Sequence, residues 1–255
     1  PAGENPSITL PTIWRTELGN GVNVLGTINE ETPTTTISLS IDVGQRDEPL
    51  DKLGLAAITA AMMNESTMQS SNEDLSNRLQ KLGSIITFSA DNNNTTLAIR
   101  SLSKNLDATL AIAAEKLLQP KFDADDFTRV QAQTLQAIER SKTDASATVA
   151  SVYQKLLFGS ENPFAYLNIG TVETVSEITL DDVKAFHAAH YSPKIASMVA
   201  VSNYDRDALV KKLAVFEPWD GANVTRDALK PFPTSEGPRL YLVDKPGAAQ
   251  SARRF

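Results

Sequence analysis

The stretch that most limits how this chain can fold is Gly54-Leu55-Ala56-Ala57-Ile58-Thr59-Ala60-Ala61-Met62-Met63-Asn64-Glu65-Ser66-Thr67. Leu55, Ile58, Met62 and Met63 recur at the spacing of one buried helical stripe. Ala57 and Ala61 stand one turn apart on another side, with Ala60 beside them. The alanines favour a helix strongly and give that side no bulk. The segment therefore predicts a core helix with a bare face, on which neighbouring elements must pack.

The remaining elements follow from period and punctuation. Residues 14–18 and 22–25, separated by Gly19-Asn20-Gly21, read as a hairpin. Residues 34–43 (TTTISLSIDV) alternate as a half-buried strand and are a candidate sheet edge for pairing with an extended peptide. A helix capped by Ser71 or Asn72 runs to Leu82, where Gly83 stops it. Residues 84–90 and 95–102 form two strands joined by the polar turn 91–94, and residues 104–118 form a helix stopped by Pro120. Asp123, Asp125 and Asp126 favour the start of a helix over 123–142, and another runs on to Phe158. Residues 159–171 read as loop, 179–190 as helix, 195–201 as a buried strand and 205–215 as a last helix. This order predicts an α+β fold, a two-layer domain with a mostly antiparallel sheet packed by helices.

Residues 1–12 read as an approach segment and 13–216 as the domain. Residues 217–238, with Pro218, Pro231, Pro233 and Pro238, have the composition of a linker. Residues 239–255 then read as the first strand of a further domain, cut short.

Composition removes several function classes. A net charge of −7 argues against nucleic acid or an anionic membrane as main partner. No apolar run reaches the length of a membrane span. With no cysteine, thiol catalysis and thiolate metal sites are excluded, and disulfides with them. His187 and His190, at i, i+3 on one helix, are the only histidines. A catalytic zinc usually takes three protein ligands, and no third with suitable spacing lies near, so the pair reads as a helix-end or core-edge feature. Neither a nucleophile elbow nor a phosphate loop occurs. Asn-x-Ser/Thr matches at Asn64, Asn93, Asn94 and Asn223 carry little information.

Several landmarks resemble the insulinase/pitrilysin family of zinc metallopeptidases, whose metal helix carries an inverted H-x-x-E-H motif. Leu18-Gly19-Asn20-Gly21 is similar to the family's opening hairpin. Gly44-Gln45-Arg46-Asp47-Glu48 followed by Gly54-Leu55-Ala56 is similar to its approach to the metal helix. Residues 158–164, 170–173 and 186–193 (FHAAHYSP) resemble later signposts, so the likeness spans about residues 13–216. Active members read G-L-A-H-x-x-E-H-M. On that alignment the two histidine ligands fall on Ala57 and Ala61, the general base on Ala60, and the third ligand on Ala137. A methyl group offers zinc no lone pair and cannot accept a proton from water.

The resemblance implies a metallopeptidase-chamber fold and a catalytically silent domain, without cofactor, forming chamber wall and contacting peptide or protein substrate. Zinc is expected in another domain or subunit of the parent peptidase, whose setting would be the bacterial periplasm or cell envelope. The rival reading is a structural or assembly subunit of the same family. Inactivation of a working domain by design is less consistent with the sequence, because Thr59 and Gln136 also depart from the active pattern.

Overall fold

The computed structural model describes residues 11–226, 228–234, 237 and 241–242. Among the described residues six strands form one sheet: β1 (Ile13–Glu17), β2 (Asn23–Ile28), β3 (Thr34–Ile41), β4 (Ile85–Ala90), β5 (Thr95–Leu102) and β6 (Ala196–Ser202). Their order is β1-β2-β6-β3-β5-β4. Only the β2–β6 pair is parallel; the other four pairs are antiparallel, as the sequence predicts. β6 returns after the long helical stretch and inserts between β2 and β3, with Leu39 opposite both Leu97 and Met198.

Among the described residues eight α-helices follow one another: α1 (Leu55–Met62), α2 (Asn72–Leu82), α3 (Leu106–Leu118), α4 (Ala124–Thr143), α5 (Ala145–Phe158), α6 (Val172–Glu177), α7 (Leu180–His190) and α8 (Arg206–Leu213). Alternate strand residues Ile37, Leu39, Ile41, Leu97, Ile99 and Met198 are buried beneath them, as period-two patterning requires. Leu55, Ile58, Met62 and Met63 of the α1 stripe are equally buried. Each such side chain contributes about 1.5–3 kcal/mol. α1 lies at the centre of the helical side and touches β4, α4 and α7.

Residues 34–43 are not a sheet edge. β3 is hydrogen-bonded on both sides, to β5 and to β6. Among the described strands the edges are β1 and β4. The alternation in 34–43 reports one buried face, a property shared by inner and outer strands, so it cannot locate a strand within its sheet.

α1 also ends earlier than its alanine-rich sequence suggests. After Met62 the chain tightens, with Asn64 N–H donating to the Ala61 carbonyl and Glu65 N–H to that of Met62. Lys116 then caps the carbonyls of Asn64 and Glu65. Within the stretch after the expected loop, α6 forms because Thr171 accepts from the Thr174 N–H and Thr174 reaches back to Thr171, a reciprocal cap.

The proline-rich segment is docked rather than free as far as it is described. The Arg226 guanidinium lies 2.6 Å from Asp42 and donates to Asp47 and to the Asn93 carbonyl. Ser192 donates to the Ala222 carbonyl, and Phe232 packs edge-on against Phe158 at 5.3 Å. The strand expected over 239–243 falls largely outside the described residues.

Candidate functional site

The site the sequence singles out is built on α1, beginning with its entry. Gly54 has φ 97°, and a Cβ there would stand 2.7 Å from the Ile169 carbonyl oxygen, so only glycine permits this approach. The Glu48 carboxylate accepts from the N–H groups of Gly54 (2.9 Å) and Ala56 (2.6 Å). It thereby takes the first orphan donors of the helix. Burial nonetheless pushes the Glu48 pKa from 4.5 up to about 8, outweighing the two N–H donors, which pull it down.

The alanines divide along the helix. Ala60 is 1% exposed and belongs to the core, whereas Ala57 and Ala61 are half-buried. α4 packs against α1, held in place partly by Gln131, whose amide donates to the Val175 and Ile178 carbonyls beside α6. Between α1 and α4 lies a cavity of about 290 Å³, lined by Ala61, Asn64, Glu65, Val130, Thr134 and Ala137 among others. Ala61 and Ala137, 76 positions apart in sequence, thus face one space. Ala57 and Ala60 do not line it.

Glu65, Asn64 and Thr134 at this cavity already have partners, and Gln133 is exposed. Glu65 lies 2.6 Å from Arg129, which also pairs with Asp126, and accepts from the Asn72 amide. Asn64 is bound to the backbone of β4. What remains on the walls is largely methyl and aliphatic surface, able to take up a side chain but without a set of lone pairs for a cation. Among the described residues no group of three or more His, Asp or Glu is placed to hold a metal ion.

His187 and His190 lie on α7, packed among rings. His187 meets Phe122 edge-on at 5.1 Å and stacks obliquely on Tyr191, while His190 rests on Phe186 at 4.6 Å. Burial pulls the His187 pKa from 6.5 down to about 4. His190 is lowered by burial and by Arg226, against the opposing pull of Asp47. Both rings are neutral at pH 7, as core-edge residues would be.

Sequence reasoning passed over Glu48, Asn64 and Lys116. Lys116 carried the clearest signal: it sits at i+3 from Ala113 and beside Leu117 on the buried stripe of α3, and is itself 3% exposed.

Comparison with known proteins agrees with this architecture. The model of the insulinase family, peptidase family M16, matches residues 24–158, more than half of the chain. The chain belongs to that family. Residues 177–252 match the model of the peptidase M16 inactive domain. Among curated relatives, an uncharacterized zinc protease of Mycobacterium tuberculosis is 24% identical over 238 residues, covering 91% of this chain and 53% of that protein. The zinc protease PqqE of Helicobacter pylori is 23% identical, covering 93% of this chain and 54% of its own. The chain spans about half the length of these relatives. In fold it is similar to a peptidase M16 inactive domain from Pseudomonas fluorescens, with a TM-score of 0.79 at 23% identity over 86% of this chain and 53% of that one. A protease from Helicobacter pylori gives 0.75 at 22% identity, covering 88% and 53%.

Proposed function

We propose that this chain is a non-catalytic domain of an M16 zinc peptidase, one that contributes chamber wall and substrate contact while another domain or subunit holds the zinc. The observation that carries the reading is the shared cavity of Ala61 and Ala137. The family's alignment puts two metal ligands at these positions; here two methyl groups meet in one space. Names of relatives as zinc proteases support zinc chemistry in the whole protein, and the match to an inactive-domain model supports a silent role for this part. Ala60 supports it further, since a general base must reach water and this side chain is enclosed.

The chain alone is tested by dialysis against zinc followed by metal analysis, and by cleavage of a quenched fluorescent peptide library. Neither bound zinc in stoichiometric amount nor turnover is expected. Zinc-dependent cleavage by the purified chain, lost on chelation, refutes the proposal.

A further inference from the structure

We propose that Asn64 is a clasp that shuts the free edge of β4 against strand addition by an extended peptide. The inference stands on the geometry of that edge and does not depend on the function proposed above.

Among the described residues β4 is the last strand of the sheet, paired on one side with β5. In an antiparallel ladder the residues alternate between those that bond the neighbour and those whose N–H and C=O point away from it. Phe88 points away, so Ile86 and Ala90 do as well. An open row of this kind is the usual template for an incoming strand. Here the middle of the row is occupied. The Asn64 Oδ1 accepts from the Phe88 N–H at 2.8 Å, and its Nδ2 donates to the Phe88 carbonyl at 2.9 Å. One side-chain amide thus supplies both bonds that a residue of a paired strand would have supplied. The Asn168 amide donates to the next outward carbonyl, Ala90, at 3.3 Å. Side-chain amides satisfy these groups without extending the ladder, so pairing ends there.

The clasp is fixed at its base. Nδ2 of Asn64 also donates to the Ala60 carbonyl at 3.1 Å, and the Asn64 carbonyl accepts from the buried Lys116 ammonium at 2.6 Å. A peptide strand would have to break three side-chain bonds of Asn64 to gain two with Phe88. Asn64 also lines the cavity shared by Ala61 and Ala137. Removing that side chain leaves the Phe88 N–H and C=O free for an extended chain beside β4.

The test uses the chain with a fluorescein-labelled alternating Thr-Val peptide of roughly eight residues, the length of an ordinary strand. Its control is the same peptide N-methylated at every residue, which has no N–H left to donate on either edge. Asn64→Ala should bind the unmethylated peptide at least about tenfold more tightly than the unaltered chain, the worth of one net hydrogen bond. The methylated peptide should show no gain. Equal binding by both proteins, no gain in the variant, or an equal gain for the methylated peptide each overturns the proposal. Should Asn64→Ala not fold, Asn64→Asp keeps the acceptor for the Phe88 N–H and loses both donors, and it should show a smaller gain. No gain in that variant is equally fatal. Amide exchange reports the clasp in the unaltered chain: Phe88 should be protected as strongly as Thr87 and Ser89, and exchange at the rate of an exposed edge amide overturns it.

Discussion

The ammonium nitrogen of Lys116 lies 2.6 Å from the carbonyl oxygen of Asn64 and 3.2 Å from that of Glu65, joining α3 to the C-terminal end of α1. A cation at this end of a helix is favoured by the backbone dipole and by the orphan carbonyls. Burial opposes it and pulls the Lys116 pKa from 10.5 down to about 8, against the attraction of Glu65, Glu115 and Asp126. At pH 7 the lysine is charged and doubly hydrogen-bonded. Lys116→Met should therefore cost roughly 1–3 kcal/mol, because two enclosed carbonyls lose their donor. Between pH 8 and 10.5 the unfolded lysine keeps a proton that the folded one has shed, so raising pH favours the folded state. The gap between the two proteins should widen there by about 1.4 kcal/mol per pH unit. Urea unfolding of both across this range checks the sign, and a gap that narrows contradicts the assignment.

Glu48 predicts the opposite slope at lower pH. Its folded pKa is about 8 against 4.5 when exposed, so between these values the folded protein holds a proton that the unfolded chain lacks. Its contribution is complete below pH 4.5 and is lost as pH rises to 8, at about 1.4 kcal/mol per unit. Glu48→Ala strips the partner from the Gly54 and Ala56 N–H groups and should cost roughly 2–4 kcal/mol at pH 5. The deficit should shrink steadily toward pH 8. Denaturation midpoints of the two proteins at half-unit steps measure it; a constant deficit means that Glu48 is ionised throughout.

His187 sets the acid limit. It is neutral when folded down to about pH 4 but protonates near 6.5 when exposed. Stability from this group is full above 6.5 and falls as pH drops through 4, and the lowered pKa of His190 adds in the same direction. From pH 4.5 to 6.5 the slopes of Glu48 and His187 oppose each other, so the contributions of these two groups largely cancel there. His187→Leu keeps an apolar body against Phe122 and Tyr191 and cannot be protonated. It should gain stability relative to the unaltered chain as pH falls below 6.5, by roughly 2–3 kcal/mol at pH 4.5. Thermal melts at pH 4.5 and 7 separate the two cases, since a variant with the same acid loss removes His187 as the source.

The sheet and helices were legible in sequence because each depends on a local period. The alternation of 95–102 and the stripe of Leu55, Ile58 and Met62 both name the face that ends up buried. What lies between elements was not. The place of β3 in the middle of the sheet depends on β6, which enters some 155 positions later in sequence, and nothing in residues 34–43 announces that partner. In sequence Asn64 is one polar residue of the helical stretch 54–67, and its amide has meaning only once α1 lies along β4. Glu48 sits in a charged run that reads as a solvated turn, yet the fold folds this one carboxylate under the start of α1. Each case requires a long-range contact to be known first.

The shared cavity leads to a last expectation, one that asks whether the scaffold kept the shape of a metal site. Ala61 and Ala137 face one space from α1 and α4, and Ala57 stands one turn before Ala61 on the half-buried side of the helix. Two imidazoles at i, i+4 and a carboxylate from a facing helix make a three-ligand zinc set with an open fourth position. The triple change Ala57→His, Ala61→His and Ala137→Glu should therefore bind one equivalent of zinc, while the unaltered chain binds none. Ala60 is left as it is, because a carboxylate at a position 1% exposed would be driven into the core. Without that base, zinc binding should appear without appreciable peptide cleavage. Competition with a chromophoric chelator measures the affinity, and the single change Ala61→His serves as the control, since one ligand cannot compete. If the triple variant folds but binds zinc no better than that control, α1 and α4 do not present these positions to a common ion, and the alignment of Ala57, Ala61 and Ala137 with metal ligands loses its geometric support.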